Sequence, residues 1–220
     1  MGEVESSRLL RKGAEASLYV KHWHGRKVVV KARLPKKYRP AILDAKIRRY
    51  RTIHEPQLMH EAKKAGVPTP TIFLVDIENS VITMEYIEGK QLKRILDQIS
   101  EKEREEFCFR IGMLIGKMHQ QGVIHGDLTT SNMILEDNNK IFLVDFGLGE
   151  KSNEFEARGV DLHLMKRALQ STHYHYAEKC FRTVIKGYSR VLNVEDAKRV
   201  IEKTREIERR GRYIDERKQK

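Results

Sequence analysis

The hydrophobic pattern of this chain changes period near Gly89. Before that point, apolar residues fall in short β-rich stretches separated by turn residues such as His24-Gly25, which predicts two hairpins. The four predicted strands are 14–23, 27–34, 71–77 and 81–86. After Gly89 the period is helical for most of the remaining length. The change of period predicts an α+β fold, with a small β-rich part followed by a mostly helical part.

A basic helical stretch follows Pro40 within the β-rich part. Its apolar residues recur at near-helical spacing. Pro56 stands in its interior, and proline suits a first helical turn better than an interior position, because it has no N–H to donate. We therefore expect a break or kink at Pro56 and a second helical segment that ends at Gly66.

The helical part carries a clear start signal. Ser100 and Glu103 have the spacing of a capping box, so we expect a helix that runs to about Gln121 and is closed by Gly122. From about residue 157 to the end the chain reads as helical again, with a basic tail.

Composition limits the functional classes. The chain has 220 residues, of which 40% are hydrophobic, enough to build a core. Lys and Arg number 43 against 31 Asp and Glu, a formal charge of +12, which favours polyanions without choosing among them. The apolar runs are too short to cross a membrane, no signal peptide is visible, and Cys108 and Cys180 suit buried thiols. We expect a cytoplasmic protein that does not bind membranes.

The residues that indicate chemistry lie in two short runs. Residues 125–132 read His-Gly-Asp-Leu-Thr-Thr-Ser-Asn, and 145–147 read Asp-Phe-Gly. Phosphoryl transfer from ATP requires an oriented acceptor, oxygen ligands for magnesium, and neutralisation of developing charge. Asp127 can orient the acceptor, while Asn132 and Asp145 can supply the oxygens. An apolar strand predicted at 141–144 would hold Asp145 rigidly.

Lys31 is the candidate for neutralising phosphate charge. It closes the apolar run Val28-Val29-Val30. A lysine at the end of such a strand is unfavourable unless it reaches an anion, and the phosphates of ATP together with a helix carboxylate would meet that need.

The order of these motifs resembles that of protein kinases across nearly the whole chain. Val-Val-Lys, Met-Glu-Tyr-Ile-Glu-Gly, His-Gly-Asp-x-x-x-x-Asn and Asp-Phe-Gly follow in sequence, and 12–19 stand where kinases carry a glycine-rich loop. The short helical part and the Arg-Gly-Arg tail are similar to the small atypical kinases of the KEOPS complex. The resemblance implies a two-lobed protein-kinase-like fold with an N-lobe over 1–87, a minimal helical C-lobe over 88–208 and a basic tail over 209–220.

The resemblance also implies roles for individual residues. Lys31 would hold phosphates and pair with Glu55, with Glu61 as the alternative because Pro56 departs from the expected small residue. Asp127 would be the catalytic base or orient a water, and Asn132 and Asp145 would bind Mg²⁺. The remaining ATP contacts would come from Gly13, Ala14, Ala16 and Ser17 at the phosphates and from Met84, Glu85 and Ile87 at the adenine.

By the same resemblance, the protein is expected to use ATP and Mg²⁺ as a Ser/Thr kinase or an ATPase. It would act within KEOPS beside a separate partner, the enzyme that makes threonylcarbamoyladenosine on tRNA. His-Gly-Asp lacks the arginine that couples the catalytic aspartate to a phosphorylated activation loop. The segment after Gly147 is also short, with no Ala-Pro-Glu. We therefore expect no phosphorylation-dependent activation and little peptide-binding platform.

Two segments carry most of the positive charge. Residues 36–51 contain seven positive and one negative residue, and 198–220 contain ten and five. Charge runs are usually solvated helix faces, but a phosphate backbone could also bind surpluses of this size. The tail residues proposed for tRNA contact are Arg209, Arg210 and Arg212.

Three alternatives to a KEOPS kinase stay open. The first is a small-molecule phosphotransferase, which the short C-lobe disfavours. The second is a kinase of the RIO type. The third is a non-catalytic basic scaffold, which is disfavoured by the joint presence of Lys31, Asp127, Asn132 and Asp145. His173 and His175 are two residues apart, so on a helix they point apart and suggest surface residues rather than a metal pair.

Overall fold

The computed structural model describes the backbone of residues 8–218 and the side chains of residues 8–210. The first part is a five-stranded antiparallel sheet in the order β1-β2-β3-β5-β4. Its strands are β1 (Arg8–Lys12), β2 (Ser17–Trp23), β3 (Arg26–Ala32), β4 (Ile72–Asp76) and β5 (Val81–Glu85). Helix α1 (Ala41–Lys64) connects β3 to β4.

Both predicted hairpins are confirmed. β2 and β3 pair in register up to Trp23 and Arg26, so the turn is His24-Gly25. Both turn residues have positive φ, 48° and 72°, as a two-residue turn matched to the twist of the strands requires. β4 and β5 form the second hairpin, with Asp76 opposite Val81 and Ser80 at a φ of 57°.

The expected break at Pro56 is wrong, because α1 is one helix from Ala41 to Lys64. Proline removes one backbone donor and disfavours the helical conformation of the residue before it. That residue is Glu55, whose buried carboxylate is held by two cations from the sheet, Lys31 and Arg33. Tertiary contacts at the weakest point of the helix therefore outweigh the local preference of proline.

The second part combines small strands with five helices. β6 (Gly89–Gln91), β8 (Met133–Glu136) and β9 (Ile141–Leu143) form one sheet, and β7 (Val123–Ile124) pairs with β10 (Glu150–Lys151). The helices are α2 (Leu92–Ile95), α3 (Glu101–Gln120), α4 (Phe155–Thr172), α5 (Ala177–Val191) and α6 (Val194–Lys218). The arrangement is a protein-kinase-like α+β fold, with a β-sheet first and helices after it.

The predicted start and end of α3 are confirmed. The Ser100 hydroxyl accepts from the Glu103 N–H at 3.3 Å, and the Glu103 carboxylate accepts from the Ser100 N–H at 3.0 Å. Gly122 follows the helix with a φ of 67°. The capping box fixes where α3 begins, and α3 in turn leads into the loop that carries Asp127.

Helices α3 and α5 pack at unusually close range. A Cβ added to Gly112 would lie 1.9 Å from the Val184 carbonyl oxygen, and one added to Gly187 would lie 1.9 Å from the Phe109 carbonyl oxygen. The glycines therefore let the two backbones meet. Cys108 and Cys180, both buried as expected, lie on the same two helices.

We predict that Gly112→Ala lowers the free energy of unfolding by about 2–3 kcal/mol, because the new methyl group meets a carbonyl that cannot move alone. Urea unfolding measures the change. Gly116→Ala on the same helix is the control, since its Cβ would approach Val191 Cβ only to 3.0 Å and alanine favours a helix by about 1 kcal/mol over glycine. Equal losses in both variants would contradict the close packing.

One cluster of buried apolar side chains runs through the molecule. It begins at Ile82 and Met84 of the sheet, continues through Leu128 and Met133, and ends among the long helices. Within the described residues, no helix has the length and apolarity to cross a bilayer. The predicted boundary after residue 87 falls between β5 and β6, and that after residue 208 falls inside α6.

Candidate active site

Lys31 sits at the centre of a buried cluster of charges. Its Nζ lies 2.7 Å from Glu55 Oε1 and 2.6 Å from Asp145 Oδ1, and its side chain is only 6% exposed. β3 supplies the lysine, α1 the glutamate and the loop after β9 the aspartate. The structure thus brings together three residues that lie up to 114 positions apart in sequence.

Glu55, and not Glu61, is the partner of Lys31. Glu61 is on the same helix but pairs with Lys64 at 3.3 Å and Lys151 at 3.5 Å. The second oxygen of Glu55 accepts from Arg33. Lys31 and Arg33 carry two positive charges, and Glu55 together with Asp145 supplies two negative charges, so the network is balanced only as a whole.

Arg33 is a site residue that the sequence did not reveal. Its guanidinium contacts Glu55 and lies 3.3 Å from the Thr52 hydroxyl, with the side chain 2% exposed. A signal was present, since Arg33 stands two positions after Lys31, a spacing that puts two side chains on the same face of a strand. An arginine just past a strand is nevertheless usually solvated, so the pattern alone did not indicate burial.

Asp145 is held in a strained backbone conformation. Its φ is 67°, in the left-handed region that few residues other than glycine adopt. The carboxylate is 45% exposed, more open than the other members of the cluster. Burial acts to raise the pKa of Asp145, but the charge and hydrogen bond of Lys31 outweigh it, so the pKa lies below its usual value. The group is therefore an ionised oxygen donor that faces outward.

Asp127 and Asn132 are locked to each other. Asn132 Nδ2 donates to the Asp127 backbone oxygen at 3.0 Å and to Asp127 Oδ2 at 2.8 Å. A 3₁₀ turn over Thr130–Asn132 makes this return possible, because it reverses the chain just before β8. Since the amide nitrogen is used by Asp127, the carbonyl oxygen of Asn132 is the atom left for a cation.

His125 supports the loop as a neutral ring. The Asp127 N–H lies 3.3 Å from His125 Nδ1, and His125 Nε2 lies 3.2 Å from the Val144 carbonyl. Both contacts are satisfied when Nδ1 accepts and Nε2 carries the proton. Burial lowers the pKa of His125, which favours the uncharged form. His125 thereby links the Asp127 loop to the strand that delivers Asp145.

Asp161 on α4 holds the start of this loop. Its carboxylate accepts from the His125 N–H at 2.7 Å and the Gly126 N–H at 2.8 Å, and it lies 3.2 Å from His119 Nε2. Burial acts to raise the pKa of Asp161, but the hydrogen bonds from His119 and the His125 backbone lower it below its usual value. Asp161 thereby supports the start of the loop from a different helix.

Gly126 explains why the loop reads His-Gly-Asp. Its φ is 77°, and an added Cβ would lie 2.2 Å from the Leu148 carbonyl oxygen. No side chain fits there unless the segment after Gly147 moves. In this conformation the backbone itself therefore leaves no room for an arginine between His125 and Asp127.

The residues predicted to contact phosphates lie on the turn from β1 to β2 and at the first position of β2. The Gly13 N–H donates to the Ala16 carbonyl at 2.9 Å, which closes a tight turn with Ala14 exposed and Ser17 buried at the start of β2. Glu15 of the same turn is held by Arg39 at 2.7 Å and Arg51 at 2.7 Å. The loop is thus tied to α1 and to the segment before it.

The predicted adenine contacts lie at the end of β5. Met84 and Ile87 are buried, and the Glu85 backbone N–H donates to Thr71 at 2.8 Å. β5 neighbours β3 in the sheet, so these residues lie on the strand beside the one that carries Lys31.

The donor set fits magnesium that arrives with a nucleotide. Asp145 and Asn132 offer the hard oxygens that Mg²⁺ prefers. Among residues 8–210, no group of three or more His, Cys, Asp or Glu side chains is suited to a metal ion. A cation at Asp145 and Asn132 would need further oxygen ligands, and phosphates with water supply them in kinases.

The basic segments are partly neutralised. In residues 36–51, Arg39 and Arg51 pair with Glu15, and Arg48 pairs with Asp44. In the tail, Arg210 pairs with Glu156 at 2.8 Å, and Arg209 is exposed. The side chain of Arg212 lies outside the described residues.

The fold and the site together define a protein kinase. The defining features are the β-sheet over α1, the Lys31–Glu55 pair, the Asp127–Asn132 loop and Asp145. A model of the protein kinase domain matches residues 9–184. The KEOPS complex subunit Bud32 of Pyrococcus abyssi is 46% identical to this chain, and the alignment covers 94% of this chain and 96% of that protein. The EKC/KEOPS complex subunit bud32 of Dictyostelium discoideum is 40% identical, and that alignment covers 93% of this chain and 82% of that protein. The chain belongs to the Bud32 family of protein kinases.

Some relatives are much longer. A probable bifunctional tRNA threonylcarbamoyladenosine biosynthesis protein of Methanothermobacter thermautotrophicus is 44% identical over 94% of this chain, which spans 37% of that protein. Among solved structures, the Rio2 kinase of Chaetomium thermophilum, in complex with ADP, Mg²⁺ and phosphoaspartate, superposes with a TM-score of 0.63 at 15% identity. The superposition covers 92% of this chain and 70% of the Rio2 chain, and it shows that the two proteins share a fold.

Proposed function

We propose that this protein transfers the γ-phosphoryl group of Mg-ATP, and the charge cluster around Lys31 is the observation that carries the proposal. Burying a lysine between two carboxylates costs desolvation energy and adds little net stability, so such a cluster favours a functional role over a structural one. Here the ammonium group of Lys31 contacts Asp145, which is the exposed member of the cluster. Lys31 projects from β3, and the loops that carry Asp127 and Asp145 are joined by the hydrogen bonds that His125 and Asn132 form with Val144.

Each group has a distinct part in the proposal. Lys31, kept in place by Glu55, holds phosphate oxygens, and the turn over 13–16 covers them. Asp145 and the Asn132 oxygen hold magnesium, which supplies charge neutralisation at the transferred group. Asp127, fixed by Asn132, orients the acceptor and takes its proton. Met84, Glu85 and Ile87 hold the adenine.

The acceptor is a Ser/Thr hydroxyl, including those of the protein itself, or water. β10 begins at Glu150 and α4 at Phe155, so little chain separates Asp145-Phe146-Gly147 from the helices. A peptide platform of the usual kind therefore has little room, which favours water or a protein presented by a partner.

The biological setting follows from the relatives' names. We propose that the protein is a cytoplasmic KEOPS subunit that supports threonylcarbamoyladenosine formation on tRNA, with an N-lobe over 1–87 and a C-lobe over 88–208. In this proposal the modifying enzyme is a partner within the same complex, because the Bud32 relatives are named as subunits of KEOPS. In the tail, Arg209 is the better candidate for tRNA contact, because Arg210 has Glu156.

The test of this function is turnover of γ-labelled ATP by the purified full chain, with and without tRNA. We expect release of labelled phosphate or labelling of the protein in the presence of Mg²⁺. Excess EDTA is expected to abolish both, because it removes the cation that Asp145 and Asn132 would hold. Binding of ADP with Mg²⁺ is measured in parallel by calorimetry. The proposal would be contradicted if the protein did not bind ADP with Mg²⁺, or if EDTA left the turnover unchanged.

A further inference from the structure

His173 is buried, contrary to the surface position expected from the sequence. It is 1% exposed and follows α4, where its N–H donates to the Leu169 carbonyl at 2.8 Å. Helical periodicity describes only the face of its own helix. It does not show that α4 ends against the loop between Asp127 and Asn132.

The two ring nitrogens of His173 are both engaged. Nδ1 lies 2.7 Å from Asp97 Oδ1, and Nε2 lies 3.0 Å from the Thr130 hydroxyl. With the proton on Nδ1, the ring donates to the carboxylate and accepts from the hydroxyl, so the three groups form a directed chain of hydrogen bonds. Asp97 is 45% exposed, whereas Thr130 is 1% exposed.

A chain of carboxylate, imidazole and hydroxyl has the order of a nucleophilic triad. A nucleophile must be reached by its substrate, and the burial of Thr130 prevents that. The hydroxyl is therefore an anchor point and not an attacking group.

Thr130 stands where an anchor has the most effect. It opens the 3₁₀ turn over Thr130–Asn132, two positions before Asn132 and three after Asp127. The next residue is anchored as well, because Gln91 Nε2 donates to the Ser131 carbonyl at 2.8 Å. Asp161 fixes the start of the loop, and the segment with β6 and α2 supplies Gln91 and Asp97 for its end.

We infer that Asp97 and His173 are positioning residues for phosphoryl transfer, acting through the Thr130 hydroxyl to hold Asp127 and Asn132 in their working geometry. The inference rests on the proposed function for its kinetic consequence. Loss of the anchor displaces the acceptor-orienting group but leaves Lys31 and the adenine contacts in place. A misplacement of about 1 Å at such a group costs on the order of 100-fold in rate.

The experiment compares matched variants of the full chain. Thr130→Val removes the hydroxyl with little change of shape, and Thr130→Ser keeps it. Asp97→Ala removes the acceptor for Nδ1, and Asp97→Asn retains an acceptor oxygen. Because Asp97 is partly exposed, its variants are expected to fold even if a change at buried Thr130 does not.

We expect Thr130→Val and Asp97→Ala to lower kcat by about 10-fold or more with KM for ATP within about twofold of wild type, and Thr130→Ser and Asp97→Asn to retain most of kcat. Amide hydrogen exchange over 127–132 is expected to quicken in the first pair and not in the second. Exchange needs no turnover, so it decides on the anchor even if the wild type proves inactive, which would count against the proposed function alone.

Two results would overturn the inference. One is wild-type exchange over 127–132 in Thr130→Val and Asp97→Ala. The other is a joint change of kcat, KM and melting temperature that Thr130→Ser and Asp97→Asn do not restore, since that pattern belongs to a general loss of structure.

Discussion

Asp145→Asn is expected to lower ATP turnover by about 10³-fold while leaving the fold intact. The substitution removes the negative charge and one oxygen ligand from the mouth of the site. Asparagine tolerates a positive φ better than most residues, so the backbone at 67° can be kept, which alanine would strain. Lys31 retains Glu55 as a partner at 2.7 Å, a carboxylate that it shares with Arg33, so the lysine keeps one of its two ion pairs.

Initial rates with γ-labelled ATP measure this effect, and circular dichroism checks the fold. Asp137→Asn is the matched control, because Asp137 is an exposed aspartate on the turn between β8 and β9. It is expected to leave the rate unchanged. Turnover by Asp145→Asn within about 10-fold of wild type would mean that Asp145 is not a magnesium ligand.

Glu55→Gln is expected to cost about 3–5 kcal/mol in the free energy of unfolding, and to reduce turnover with it. The variant keeps the size of the side chain but removes the carboxylate that Arg33 contacts, and the Arg33 side chain is only 2% exposed. Lys31 keeps Asp145 but loses the partner that holds it towards α1. A buried charge without compensation is among the most destabilising single changes.

The control for Glu55→Gln is Glu61→Gln, on the same helix. Glu61 pairs near the surface with Lys64 and Lys151, and such pairs contribute about 0–1 kcal/mol. Chemical unfolding of both variants compares them directly. Similar losses at the two positions would show that the Lys31–Glu55–Arg33 network does not contribute as its burial implies.

The sequence predicted those features whose cause is local or chemical. The hairpin at His24-Gly25 follows from residues that accept positive φ, and the start of α3 follows from Ser100 and Glu103, which satisfy each other's backbone. The choice of Asp127 and Asn132 followed from the ligands that magnesium-dependent chemistry needs at a fixed spacing.

The features that the sequence did not predict depend on contacts between distant segments. Pro56 does not break α1, because Lys31 and Arg33 hold Glu55 from another element. His173 is buried because α4 ends against the catalytic loop, which no helical pattern records. Gly112 reads as a weak helix residue until α5 is placed against it.

The contact at Gly126 has a consequence for how such an enzyme could be controlled. Main chain meets main chain between this residue and Leu148, and β10 pairs with β7 just beyond it, so the stretch after the Asp-Phe-Gly motif cannot swing away without breaking that pairing. A switch that works by ordering that stretch would need it to be disordered in one state, and these contacts already hold it in place. An assembly partner that covers Asp145, the exposed member of the charge cluster, would be a means of control that needs no movement of this stretch.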